Sequence, residues 1–195
     1  MTTTAKVTKF ASVSDRFAAL SVLLLTLIAL AAGWLFKSSV ENRSVAFKSG
    51  NITAQTPAGW LLKQPGGDEV LHATDLTTSG FGTTYLIEVQ AVPADEQLGQ
   101  IVSLVTLERG NMLTAYRVLN QQKVVVQGHD AIEIDYVYVE SAANLNHADI
   151  PAVVRGQDYV FVNNGQAVIV SYRADQSDYE ADLGRFYRFL ISVKY

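Results

Sequence analysis

The feature that most constrains this chain is an unbroken apolar run from Phe17 to Phe36, FAALSVLLLTLIALAAGWLF, directly followed by Lys37. About 20 such residues, rising ~1.5 Å each in a helix, span the roughly 30 Å hydrocarbon core of a bilayer. The run therefore predicts a single membrane-spanning helix. The apolar side chains that we expect to hold it in the membrane are Phe17, Leu23, Leu24, Leu25, Leu27, Ile28, Leu30, Trp34 and Phe36.

This run has two interpretations, an uncleaved anchor or a cleaved secretory signal. Ala29-Leu30-Ala31 has the small-x-small form that signal peptidase accepts. Against cleavage, apolar residues continue past that site, and Trp34 and Phe36 ahead of Lys37 are typical of an interfacial belt. The sequence therefore favours the anchor.

The anchor divides the chain into four predicted parts. They are a cytoplasmic tail over residues 1–16, a transmembrane helix over 17–36, a short stem over 37–43 and one extracytoplasmic domain over 44–195. The positively charged residues on the two sides of the helix are nearly balanced, so the shortness of the tail favours this orientation. We expect the protein in the cell membrane.

Composition excludes several classes of function. The net charge is -4 and the pI is about 5.3, which argues against a nucleic-acid partner. The chain has no cysteine, which excludes disulfides, thiolate nucleophiles and cysteine-ligated metals.

Strand patterns dominate the chain after residue 44. Residues 84–92 alternate, with Tyr85, Ile87 and Val89 on one face, and residues 131–139 alternate in the same way. Two further apolar segments flank Asn163-Asn164-Gly165, where Asn and Gly supply the positive φ angles of a tight hairpin.

Two helices interrupt the strands. The first carries Leu98, Ile101, Val102 and Val105 with the spacing of one apolar stripe. The second follows a predicted capping box over residues 177–180. The sum is an α+β fold, an antiparallel sheet packed with two main helices.

No catalytic constellation is present in the sequence. His72, His129 and His147 are far apart and lack metal-binding spacing, so we expect no metal, no cofactor and no enzyme activity. Glu133 and Asp135 lie two apart on one predicted strand and point to the same face. That proximity suits an acid–base pair or calcium, but a solvated outer face explains it more simply, and we favour that interpretation.

The aromatic residues are a better indication of binding. Trp60, Tyr116, Tyr136 and Tyr138 are bulky and amphipathic, as interface residues are. One interpretation packs them under the helices. The other places a subset on an exposed face, as a possible interaction patch.

The order of elements resembles the PsbP-like family over about three quarters of the chain. The resemblance rests on five segments: Pro57-Ala58-Gly59-Trp60, the strand over 85–89, the segment over 126–131, the hairpin around Asn164-Gly165, and Phe189-Leu190-Ile191-Ser192. It implies an α/β/α-like domain that acts as an accessory or assembly factor, often exported or lipid-anchored. No photosystem-docking or metal residue aligns, so the resemblance does not imply a photosystem role.

Together, these observations predict a membrane-anchored, non-catalytic accessory subunit. Its exported domain would dock on a partner, most plausibly a membrane protein complex, through a flat aromatic patch. The alternative is a small-ligand or lipid-binding domain, which predicts a concave apolar pocket between the sheet and the helices.

Overall fold

The computed structural model describes residues 13–41, 43–78, 81–93, 97–140 and 151–195. The chain divides into two compact units, residues 1–43 and 44–195, and each is described by itself. Most of the predicted tail, together with His147, lies outside the described residues.

The first unit consists of helix α1, Val13–Glu41, which is 29 residues long. Residues 17–37 have a mean hydropathy of 2.4, and the helix is long and apolar enough there to cross a membrane. Its polar side chains bond within the helix, since Ser21 and Thr26 donate to the carbonyls of Phe17 and Val22, each at 2.9 Å. The helix continues to Glu41 and so includes most of the segment that we predicted as a stem.

The second unit contains nine strands and two helices among its described residues. A separate hairpin comprises β1 (Ser44–Ser49) and β2 (Ile52–Pro57). The main sheet is antiparallel throughout, in the order β3-β4-β5-β9-β8-β7-β6. Its strands are β3 (Leu61–Leu62), β4 (Glu69–Thr74), β5 (Thr84–Ala91), β6 (Arg117–Val126), β7 (His129–Glu140), β8 (Ala152–Asn163) and β9 (Gln166–Asp175).

Both faces of the main sheet are apolar, and each is covered by one helix. Helix α2 (Leu98–Met112) shares a buried cluster with Ile132 and Ile134 of β7, while α3 (Tyr179–Leu190) shares another with Tyr85 and Ile87 of β5. Alternate residues of a strand point to opposite faces, so the two clusters lie on the two sides of the sheet. The predicted α+β class is confirmed, with the helices as outer layers.

Two-residue turns fix the register of the long hairpins. Asn164 and Gly165 have φ angles of 50° and 73°, as the sequence predicts for the β8–β9 turn. The β6–β7 turn has the same form at Gln127 and Gly128, with φ angles of 53° and 83°. A positive φ at Gln127 is costly for a residue that bears a side chain.

The predicted capping box at the start of α3 is wrong. The N-cap is Asp178, whose side chain makes no capping bond. Ser177 instead bonds the Asp175 carboxylate at 2.8 Å, and Glu180 pairs with Arg155 of β8 at 2.8 Å. A local contact with Asp175 thus takes the serine of the predicted motif, and a tertiary ion pair with Arg155 takes its glutamate.

The β1–β2 hairpin is fastened to the segment after α3. Thr53 and Lys194 exchange two backbone hydrogen bonds, of 3.0 and 2.9 Å. The backbone N–H of Gln55 also donates to the Ser192 hydroxyl at 2.8 Å. Ile52 in β2 is buried, so the hairpin is part of the core on the α3 side.

Candidate functional site

Helix α1 presents apolar side chains all round. The residues predicted as the anchor are exposed by 55% (Leu27) to 74% (Phe36), and within its unit no polar face runs along the helix. A surface this apolar is unstable in water and calls for a lipid or protein environment.

In the second unit, a buried ionic network lies between α2 and the sheet. The Arg109 guanidinium of α2 forms a two-pronged ion pair with Glu88 of β5, and its Nε donates to Asp158 of β8 at 3.3 Å. Asp158 is fully buried and Arg109 is 6% exposed. Burial by itself lowers the pKa of Arg109, but Asp158 and Glu88 outweigh it, so the pKa is raised and the guanidinium keeps its charge.

Tyr136 of β7 extends this network across the sheet. Its hydroxyl donates to Asp158 at 2.9 Å and accepts a hydrogen bond from Arg173 of β9 at 3.2 Å. The ring lies over Gly156 of β8, where a Cβ atom would come within 2.3 Å of it. Glycine at this position is therefore what allows the ring to reach Asp158.

The network is closed and balanced. Its two cations, Arg109 and Arg173, and its two carboxylates, Glu88 and Asp158, bond one another or Tyr136. Removing one member of such a set leaves an uncompensated buried charge. The arrangement holds α2 on the sheet.

Arg109 is a buried charged residue whose role the sequence analysis did not identify. It falls four positions after Val105, so it continues the apolar stripe of α2 toward the core. A charged residue on a buried stripe signals a buried partner.

Glu133 corrects a second prediction. We expected it on a solvated face, but it is 8% exposed and lies on the α3 side of the sheet. Its carboxylate accepts hydrogen bonds from Gln122 at 3.1 Å, Gln157 at 3.0 Å and Tyr159 at 2.9 Å. Three donors from neighbouring strands satisfy this acid, so it cross-links β6, β7 and β8.

Asp135 lies on the same face, opposite Gln157 in the register. Burial, followed by the nearby Glu133 carboxylate, raises the pKa of Asp135. One oxygen of Asp135 and the amide oxygen of Gln157 are both buried, and neither has a hydrogen-bond partner among the described residues. A proton on Asp135 gives this pair of acceptors a donor.

The predicted interaction residues do not form one exposed patch. Tyr136 and Tyr138 are 0% and 2% exposed, which corrects the expectation that they contribute to a surface. Burial raises the pKa of Tyr138 to about 12. Tyr116 is partly buried against Tyr136 with ring centroids 5.2 Å apart, and Trp60 packs on Tyr85 at 4.4 Å on the other face. Packing accounts for their burial, and an interaction role for them remains a prediction.

Two of the three histidines lie in the described part of the chain, and each has its own partner. His72 pairs with Glu69 at 3.3 Å, and His129 packs against Tyr195 with ring centroids 5.8 Å apart. Among the described residues, no three histidines or carboxylates come together in a way that could hold a metal ion.

The clefts formed by the described residues of the domain include two larger ones. A groove of about 490 Å³ lies between the start of α2 and the β6–β7 hairpin, with Leu98, Val125 and Ile132 in its lining and Lys123 and Asp130 at its walls. A second cleft of about 340 Å³ lies beside Asn51, Asn164 and Lys194 at the end of the domain where three hairpins turn. The sequence analysis identified neither.

The architecture defines a class of domain, an antiparallel sheet between two helical layers, that occurs in several solved structures. Cyanobacterial PsbP (CyanoP) from Synechocystis sp. PCC 6803 shares it at a TM-score of 0.60 and 11% identity, over 78% of this chain and 92% of that one. LpqN of Mycobacterium tuberculosis, involved in cell envelope biogenesis, shares it at a TM-score of 0.52 and 11% identity, over 78% of this chain and 91% of that one. PA94 of Pseudomonas aeruginosa, a protein of unknown function, has a TM-score of 0.50 and 9% identity, over 79% of this chain and 98% of that one.

No family model matches the chain, and neither does any curated protein sequence. At these identities the likeness concerns the fold alone. The PsbP-like fold that the sequence motifs indicated is thereby confirmed.

Proposed function

We propose that this protein is a single-pass membrane protein whose second unit is a non-catalytic accessory domain that binds a protein partner at the membrane. The observation that carries the proposal is α1, a 29-residue helix whose described side chains from 17 to 37 are all exposed and almost all apolar. The hydrocarbon core of a bilayer is a favourable environment for this apolar surface. The helix then confines the domain to the membrane surface.

Confinement to the membrane explains how the domain could bind a partner through a weak contact surface. A tethered domain meets a membrane partner at a high effective concentration, so a weak contact suffices. Among the described residues of the domain, the buried charged groups bond one another or neutral donors on neighbouring strands. That pattern favours a scaffold for binding over an active site. The accessory roles implied by the PsbP-like resemblance agree with it.

We propose the topology given by the sequence, with residues 1–16 cytoplasmic and residues 44–195 outside. The chain has no cysteine, so single-cysteine variants report position without background. Intact cells carrying Thr4→Cys or Gln176→Cys are treated with a membrane-impermeant maleimide. We expect labelling of Gln176→Cys alone, with Thr4→Cys labelled after lysis. Labelling of both variants in intact cells, or release of the protein by alkaline carbonate, contradicts the proposal.

Co-purification then tests the accessory role. The full chain is extracted in a mild detergent and its apparent mass is measured by size exclusion with light scattering. We expect a complex with a membrane protein that survives extraction and is identified by mass spectrometry. A monomer without partners under several gentle detergents refutes an accessory subunit.

The groove beside α2 favours a second candidate function, binding of a small ligand or lipid. Its volume of about 490 Å³ lies in the range of ligand sites, and several of its lining residues are apolar. Gly99 lines it, and a Cβ atom added there meets nothing within 4 Å, so Gly99→Phe adds a ring beside the groove without a clash at the Cβ. Gly184→Phe on α3, also unobstructed, is the matched control. This function predicts a lipid that co-extracts with the wild type and Gly184→Phe but is depleted from Gly99→Phe.

A further inference from the structure

Three hairpin turns and the last residues of the chain surround one end of the domain. The β1–β2 turn contributes Asn51, the β6–β7 turn Gln127 and the β8–β9 turn Asn164. Cavities of about 340 and 120 Å³ open there, and both are lined by Lys194 and Tyr195. We call this pair of adjoining cavities the turn-end cleft.

Carboxamide side chains dominate its larger cavity. Four carboxamide side chains in its lining make no side-chain hydrogen bond among the described residues: Asn51, Asn163, Asn164 and Gln166. Within the described ranges, no aspartate or glutamate side chain lines either cavity. The protein thus gathers unused donors and acceptors at one place.

An aromatic ring completes the cleft. Tyr195 packs against Phe161 at 5.5 Å and His129 at 5.8 Å between ring centroids, and these contacts hold its ring in place. A held ring provides a flat apolar surface at low cost in side-chain entropy. Val168 adds a second apolar contact in the larger cavity.

This lining matches the chemistry of a sugar. A carboxamide donates through its NH₂ and accepts through its oxygen, and a hydroxyl group likewise donates and accepts. A sugar ring also has C–H faces that suit an aromatic surface. An anion site would instead call for several cations or backbone N–H groups, and Lys194 is the one lysine or arginine in the lining of either cavity.

We propose that the turn-end cleft binds a polyhydroxylated ligand, a sugar unit of a glycan. Its larger cavity of about 340 Å³ lies within the range of small-molecule sites. The cleft lies at the far end of β1 from Ser44, about 20 Å along the strand, and so away from the point where the chain enters the domain. The proposal is independent of α1, since it uses only residues of the second unit.

Saturation-transfer difference NMR on the full chain tests it, in dodecyldimethylamine-oxide micelles, which carry no sugar. The probes are maltotriose and N,N′,N″-triacetylchitotriose, which share ring hydroxyl groups and differ in the acetamido group and in the configuration of the glycosidic bond. We expect saturation transfer to at least one of them with millimolar affinity, the range for a few hydrogen bonds and one stacked ring. Asn163→Ala/Gln166→Ala is expected to weaken binding about tenfold or more.

The control removes two exposed amides elsewhere, as Gln121→Ala/Gln176→Ala, and is expected to bind like the wild type. Far-ultraviolet circular dichroism verifies that both variants are folded. The proposal is overturned by the absence of transfer from both sugars to the wild type, or by equal weakening in the cleft and control variants. Displacement of either sugar by millimolar inorganic phosphate, with binding lost in Lys194→Met, assigns the cleft to anions and also overturns it.

Discussion

Replacing Gly156 with alanine tests the buried network at its most crowded point. The new Cβ would lie 2.3 Å from two ring carbons of Tyr136 and 2.6 Å from its hydroxyl oxygen. The ring is fully buried and has nowhere to move without leaving Asp158. Crowding of this kind costs about 1–3 kcal/mol. A weakened hydrogen bond to a buried carboxylate adds about 1.5–3 kcal/mol.

We therefore expect Gly156→Ala to lower the free energy of unfolding by about 3–5 kcal/mol, a large part of the roughly 5–15 kcal/mol of a typical domain. Urea unfolding of the full chain in micelles, followed by near-ultraviolet circular dichroism, measures it. With a slope of about 2 kcal/mol per molar urea, the midpoint falls by roughly 1.5–2.5 M.

Two further variants separate crowding from a general effect of alanine. Gly184→Ala in α3 meets nothing within 4 Å and is expected to add about 0.5–1 kcal/mol, because alanine favours helix. In a Tyr136→Leu background the ring is absent, so Gly156→Ala should cost much less there. The packing argument is wrong if the free energy of unfolding of Gly156→Ala lies within about 0.5 kcal/mol of the wild-type value. It is also wrong if the substitution lowers that free energy equally in both backgrounds.

Three other predictions follow from the same contacts. Arg109→Met leaves Glu88 and Asp158 without their cation, so it should lower the free energy of unfolding by about 3–5 kcal/mol in the same urea assay; an unchanged midpoint contradicts this. Tyr159→Phe removes one of three donors to Glu133 and should lower the free energy of unfolding by about 1.5–3 kcal/mol. A smaller decrease in 1 M salt would contradict this prediction. Asp135 has a pKa raised above 3.8, so its protonation stabilises the fold at low pH and this contribution fades as the pH rises through the folded pKa. When the pH is raised above about 3.8, Asp135→Asn should therefore lose less stability than the wild type. An unaltered pH profile would show that Asp135 stays ionised.

The α+β fold was predictable from sequence because alternate residues of each strand share one face. Tyr85, Ile87 and Val89 were assigned to one face, and they pack together on the α3 side. Asn164-Gly165 likewise has the backbone angles that its turn requires. Local chemistry and period-two patterns decide such features, and both can be read from a single segment.

What the sequence did not predict depends on pairs that are distant in the chain. Arg109 and Asp158 are 49 residues apart, and Glu133 and Tyr159 are 26 apart. A carboxylate on a strand looks solvated until its donors on neighbouring strands are known. The same holds for Tyr136, whose burial depends on a glycine 20 positions later. The turn-end cleft draws on the turns of three separate hairpins and the end of the chain, a convergence that only the topology reveals.

The β1–β2 hairpin has a mechanical consequence. Any pull on the chain from before Ser44 loads β1 first, and in the described part of the domain the one strand hydrogen-bonded to β1 is β2. β2 in turn is fastened at Thr53 and Gln55 to the chain after α3. Peeling β1 away would release about 20 Å of chain while leaving the hydrogen bonds of the main sheet unbroken. Release of β1 would therefore lengthen the connection to the chain before Ser44 by about 20 Å while the main sheet stays intact.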